Sequence, residues 1–169
     1  MKTHTIILRI GIVAATAAGL SLGVVTAQTS SESKSSTLSE KDKSFMKKTA
    51  RGGMMEVAMG KMAEQNAQSD DVKSFAKRMV TDHGKANDEL KSIAQQKNVA
   101  LPSKEPSGKW TSDKAYMNMM VRDHEKTLAD LKQEASNGSD PDVKKFAEDT
   151  AKVVQEHLEL AKETQSKLK

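Results

Sequence analysis

From Ser39 to the end of the chain, apolar residues return at steps of three and four in four separate stretches, and no alternating strand pattern competes with them. A helix turns about 100° per residue, so this spacing gives each stretch one apolar stripe that has to be buried against another helix. The stripes are Phe45, Thr49, Gly52, Glu56, Met59 and Ala63, then Val72, Ala76, Met79, His83, Ala86, Leu90 and Ile93. They continue as Met117, Met120, His124, Thr127 or Leu128, Leu131 and Ala135, and as Val143, Phe146, Thr150, Val153, His157, Leu160, Thr164 and Leu168. The expected fold is all-α, a four-helix bundle over residues 39–169.

Local chemistry sets the ends. Ser39 and Asp42 have capping-box spacing, which predicts a first helix from about Lys41 to Ala67. Ser69 followed by Asp70 and Asp71 opens a second, running to about Lys97, with anions where the helix dipole favours them. A third follows Ser112 and stops at Asn137-Gly138, and Ser139-Asp140-Pro141 starts the fourth. The short first and third connections force antiparallel hairpins. The middle one, Asn98 to Thr111, can extend roughly 45 Å, against roughly 40 Å for a 27-residue helix. It is therefore long enough to cross the bundle.

The first 27 residues contain no acid and read as a secretory signal: Lys2 and Arg9, an apolar stretch from Ile10 to Val25, and the small-residue pattern Val25-Thr26-Ala27. The stretch is short for a membrane span, so cleavage after Ala27 and a periplasmic destination are expected, with no stable membrane span afterwards. Residues 28–38, QTSSESKSSTL, have the composition of a solvated tether. Without Lys2 and Arg9 the chain carries 25 basic against 23 acidic residues. The signs alternate and one Trp and one Tyr make no stacking set, so nucleic acid is not an expected partner. Zero Cys excludes disulfides, thiolate zinc sites and a cysteine nucleophile.

The three His beyond residue 27 each fall within the stripe of a different helix, and the first helix puts Glu56 on its inner face. All four sit near their helix midpoints, so Glu56, His83, His124 and His157 share one layer whichever way the helices run. Three imidazoles and a carboxylate suit a zinc, copper or iron ion. The dinuclear iron pattern, Glu three residues before His, is absent: those positions are Val80, Val121 and Val154. Acidic residues precede each His, and Asp82, Asp123 and Glu156 at the helix seams either orient an imidazole or pair with Arg78 or Arg122. The competing reading is a metal-free layer that fixes helix register.

Nine Met follow the signal, clustered at Met54, Met55, Met59, Met62 and at Met117, Met119, Met120; thioethers suit Cu(I), and they also fill a core poor in aromatics. Gly53 and Gly60 are expected where helices approach closely, as is Gly52. Nucleophile elbows, phosphate loops and paired inward carboxylates are all missing, so an enzyme is the weakest expectation.

Gly53 with Glu56, the run Val72, Phe75, Ala76, Met79, Val80, Asp82, His83, then Tyr116, Met117, Asp123, His124 and finally His157 resemble the bacterial domain of unknown function 4142 family, whose members carry an outer-membrane label. The resemblance spans about Ser44 to Leu168 and implies a ferritin-like bundle with a long crossover after the second helix. The chain departs from the family pattern in its short Lys109-Trp110-Thr111-Ser112 stretch. The functional expectation is metal buffering or envelope stress protection at the His/Glu layer; the alternative is a metal-free structural or interaction module, with a second copy or an envelope protein as partner.

Overall fold

The computed structural model describes residues 38–104 and 106–168. The expected signal, 1–27, and tether residues 28–37 lie outside the described residues, while Leu38 packs partly buried against the core. Four helices follow: α1 (Glu40–Asn66), α2 (Asp70–Gln96), α3 (Asp113–Asn137) and α4 (Pro141–Lys167). Among the described residues, no helix is long and apolar enough to cross a membrane.

The ends follow sequence chemistry, with two exceptions. Ser39 and Asp42 form the reciprocal capping box, and Asp140 accepts from the backbone N–H groups of Asp142 and Val143 ahead of Pro141. Ser69, however, makes no side-chain cap; the Asp113 carboxylate of α3 accepts from its backbone N–H at 2.7 Å instead. Gly138 is extended (φ −61°), not left-handed, and a Cβ there would lie 2.7 Å from the Glu134 carbonyl oxygen, so close approach is what requires glycine. The left-handed position is Asn98 (φ 56°), where Asn98 and Val99 N–H groups bond back to the Gln95 and Ala94 carbonyls and satisfy the end of α2.

Side-chain ties orient the bundle. Asp113 at the start of α3 holds the α1–α2 turn, Lys97 at the end of α2 reaches Asp140 at the start of α4 (2.7 Å), and Asp42 of α1 accepts from Ser139 N–H (3.0 Å). Thus α1 pairs extensively with α2 and α3 with α4, α2 lies along α4, and α1 meets α3 only sparsely. All four neighbouring pairs are antiparallel. The crossover runs the full length: Val99 and Leu101 pack at one end of the core and Trp110 at the other. This is the expected ferritin-like arrangement.

The core has two apolar halves. One is aliphatic and aromatic, built around Phe45, Met46, Leu90, Leu131, Val143, Phe146 and Val154; the other is rich in methionine, with Met59, Met79, Met117 and Met120 around Phe75 and Tyr116. Stripe positions on two helices differ from expectation. On α1, Met46 and Ala50 are buried in place of Thr49 and Gly52, which face the gap where α1 stands off α3; on α4, Val154 is buried and Val153 is exposed. A 3.6-residue period drifts against a strict three-four count, which is enough to move one position out of the core.

Candidate metal centre

Between the two apolar halves lie His83, His124 and His157, contributed by α2, α3 and α4, with relative exposures of 7%, 1% and 0%. Their ring centroids form a nearly equilateral triangle of 5.2, 5.5 and 5.6 Å, and one ring nitrogen from each lies within 4.8 Å of the other two.

Hydrogen bonds fix the proton positions of two rings. His124 Nδ1–H donates to the Met120 carbonyl one turn earlier (2.8 Å), which leaves the Nε2 lone pair pointing inward. His157 Nε2–H donates to Asp82 Oδ2 (3.0 Å), which leaves a buried Nδ1 with no partner among the described residues. His83 and His124 place their Nε2 atoms 3.4 Å apart. Two nitrogens bound tetrahedrally to one zinc, each about 2.0–2.1 Å from it, are roughly 3.3–3.4 Å apart, so the spacing suits a shared ion.

Burial keeps these rings neutral. It lowers the His83 imidazole to about 3, helped by the neighbouring His124 and His157 rings, and lowers His124 to about 4, with His157 adding to the effect. Burial also lowers His157, against the opposing pull of Asp82. A neutral imidazole is the form that binds metal.

Glu56 reaches the same layer from α1 but stands outside the 4.8 Å set of His nitrogens. It shares a cavity with His83 and His124, and its Oε2 has no hydrogen-bond partner among the described residues. Burial raises its carboxyl to about 8, and the nearby Asp123 adds to the rise.

The three acids beside the His separate into different roles. Asp82 does both things the sequence left open, accepting from His157 and from Arg78 Nε (3.3 Å). Glu156 pairs with Arg78 at 2.6 Å and so steadies Asp82 from outside. Asp123 is exposed and acts on Glu56 rather than on an imidazole. Sequence reasoning missed the Met120 carbonyl, since a backbone acceptor one turn before a His carries no residue signature. Arg78, which the sequence offered as a seam partner for these acids, bridges Asp82 and Glu156 and so joins α2 to α4.

Gly53 and Gly60 mark close approaches to α2, where an added Cβ would meet the Asn87 side chain or Val80 Cγ2 and the Ala76 carbonyl. Gly52 does not: nothing lies within 4 Å of the position its Cβ would take.

Fold and site together define a ferritin-like four-helix bundle with a buried three-histidine cluster that can hold a metal ion. The chain belongs to the family described as domain of unknown function DUF4142, whose sequence pattern it matches over residues 27–164. No curated protein matches it. Among solved structures it is similar to a DUF305 fragment from Deinococcus radiodurans, at 11% identity and a TM-score of 0.66, covering 78% of this chain and 99% of that one. It is also similar to CopM in Ag-bound and Cu(I)-bound forms, at 19% and 18% identity and TM-scores of 0.62 and 0.63, each covering 72% of this chain and 93% of that one. At these identities the likeness shows a shared helical-bundle fold.

Proposed function

We propose that this protein is exported to the periplasm and binds one transition metal ion through His83, His124 and His157, with Glu56 as the facing carboxylate, in metal buffering or envelope stress protection. The observation that carries the reading is the set of three buried neutral imidazoles, two of them with proton positions fixed so that an unprotonated ring nitrogen is left buried. A purely structural layer explains the His83–His124 contact but leaves the buried His157 Nδ1 without a partner, a cost of about 1–3 kcal/mol that a bound ion would remove.

Zinc, copper and iron all accept imidazole. Copper has the most support here: the CopM structures of the same fold hold Cu(I) and Ag, and one half of this core is rich in soft thioether sulfur. The apolar N-terminal segment ending at Ala27 supports export.

The test uses protein without a His tag. Metal content and melting temperature are measured with and without zinc, copper and iron, beside a His83→Ala, His124→Ala double variant. Stoichiometric metal, and a metal-dependent stabilisation of about 4 kcal/mol at a thousandfold excess over Kd, should be present in the wild type and absent from the variant. A wild type that neither retains metal nor responds to it would leave the layer as core architecture. Cell fractionation with N-terminal sequencing checks export, with Gln28 the expected first residue.

A further inference from the structure

We infer that Asp42 and Glu134 form a one-proton latch, which holds the start of α1 against the α3–α4 turn while the proton is in place and opens when it leaves. The latch is separate from the metal centre: Glu134 lies ten residues beyond His124, about 15 Å along α3.

Asp42 sits in the first turn of α1 and Glu134 three residues before the end of α3, and both are buried, at 0% and 2% exposure. Asp42 ties two pieces of chain together. Its Oδ2 accepts from Ser39 N–H (3.0 Å), and its Oδ1 accepts from Ser139 N–H in the α3–α4 turn (3.0 Å). The Glu134 carboxyl hydrogen-bonds to that same carboxylate. Its Oε1 has no donor among the described residues, and it leans on the turn so closely that a Cβ on Gly138 would lie 2.9 Å from it. Two carboxylates are both acceptors, so a bond between them needs one proton. Like charges in such contact do not both ionise without a large cost.

The donors decide which group carries the proton. Burial alone would raise the Asp42 carboxyl, but the Ser139 and Ser39 N–H groups and the Glu134 bond outweigh it, so Asp42 stays ionised. Glu134 has both burial and Asp42 against its ionisation, and its carboxyl is pushed up to about 7 despite Lys41 and Lys144. Glu134 is therefore the donor. Its ordinary value is 4.5, so its contribution is fully present below pH 4.5 and is lost as pH rises to about 7. Few charges face the pair: exposed Lys41 on α1, half-buried Lys144 on α4, whose Nζ reaches the Ser136 carbonyl (3.4 Å), and Lys97 at the end of α2, already bound to Asp140 and Asp142. Once ionised, Glu134 is the mobile member, because two backbone N–H groups hold Asp42 and none holds Glu134 Oε1. It turns outward to Lys41 and Lys144, and the Asp42 bond to Ser139 opens to water.

The experiment compares wild type with Glu134→Gln, both free of metal, in urea unfolding from pH 4.5 to 8 and in amide exchange. The amide can donate to Asp42 but cannot ionise, and both proteins keep Glu56 and the three His, so their difference isolates Glu134. The folding constant of wild type should fall about tenfold or more relative to the variant over this range. Above pH 7 the Ser139 amide, corrected for the intrinsic pH dependence of exchange, should lose protection in wild type and keep it in Glu134→Gln. The amide of Leu90, in the core, should be unchanged in both. Parallel stability profiles, or equal Ser139 protection in the two proteins at pH 8, would overturn the inference. Should Glu134→Gln fail to fold, wild type alone decides. A Glu134 carboxyl that titrates near its ordinary 4.5 by NMR, or a Ser139 amide that stays protected up to pH 8, overturns the latch; a raised carboxyl and a Ser139 amide that opens over the same pH range support it.

Discussion

Two of the places where the bundle buries polar side chains are treated in opposite ways. At the end where α1 and α4 begin, Asp42 and Asp140 are fully buried, and every one of their carboxylate oxygens has a donor: Ser39, Ser139, Asp142 and Val143 backbone N–H groups and the Lys97 ammonium. Burial alone would raise the Asp42 carboxyl, yet the Ser139 and Ser39 N–H groups outweigh it and hold it below the usual range. In the middle, His157 Nδ1 and Glu56 Oε2 are just as enclosed and have no donor or acceptor. Buried polar groups that are fully matched fix helix ends; those left unmatched cost stability unless a water or an ion meets them. The end cluster has one exception, Glu134, whose Oε1 is unpartnered and whose carboxyl burial and the adjacent Asp42 push up to about 7.

Three substitutions test whether the two places differ in kind. A large effect on folding should come from Asp140→Ala, which removes two cap bonds to α4 and one of the two carboxylate partners of Lys97. Destabilisation of about 2–3 kcal/mol in urea, with metal retention unchanged, is expected. A metal defect would mean that the end cluster and the centre are not separable.

Asp82→Asn is the converse case. The amide can still meet His157, but it no longer fixes the Nε2–H form by charge, and it weakens the Arg78 contact. Metal affinity should drop 10–100-fold, the usual size for a group that orients a ligand, while apo-protein stability shifts by under ~1 kcal/mol. Equal affinity in the two proteins would reduce Asp82 to a seam ion pair.

The pH-dependent case is Glu56→Gln in metal-free protein. The Glu56 carboxyl is raised in the fold to about 8 from an ordinary 4.5. Its contribution is therefore fully present below pH 4.5 and is lost as pH rises toward 8, because the unfolded chain ionises first. The variant lacks this loss, so its advantage over wild type should grow by roughly 1.4 kcal/mol for each pH unit within that window. A constant gap between the two would show that Glu56 is more solvated than its surroundings suggest.

Much of this was legible before any coordinates. Helix existence, three of the four caps as chemistry, the crossover and the shared layer of Glu56, His83, His124 and His157 follow from periodicity, punctuation and midpoint position. The inward direction of each His was readable because its neighbours in the stripe are apolar. The misplacements came where the helix period and the counting rule diverge: Thr49 and Gly52 were assigned to the core, and Val153 was taken where Val154 is buried. Glu134 was not seen as buried, since an acid two residues before Ser136 and three before Asn137 reads as the solvated end of a helix.

What the sequence determined by itself is the set of local decisions: four amphipathic helices, their capping residues, and which polar side chains interrupt the apolar stripes. Tertiary structure alone decided how those interruptions differ from one another. The distance of Glu56 from the imidazole group and the cleft at Gly52 depend on how far apart α1 and α3 stand, and the choice of Asp82 over Asp123 as a His partner depends on how α2 lies against α4. Helix spacing is set by the summed packing of side chains from different helices, and no single stretch of sequence carries that sum.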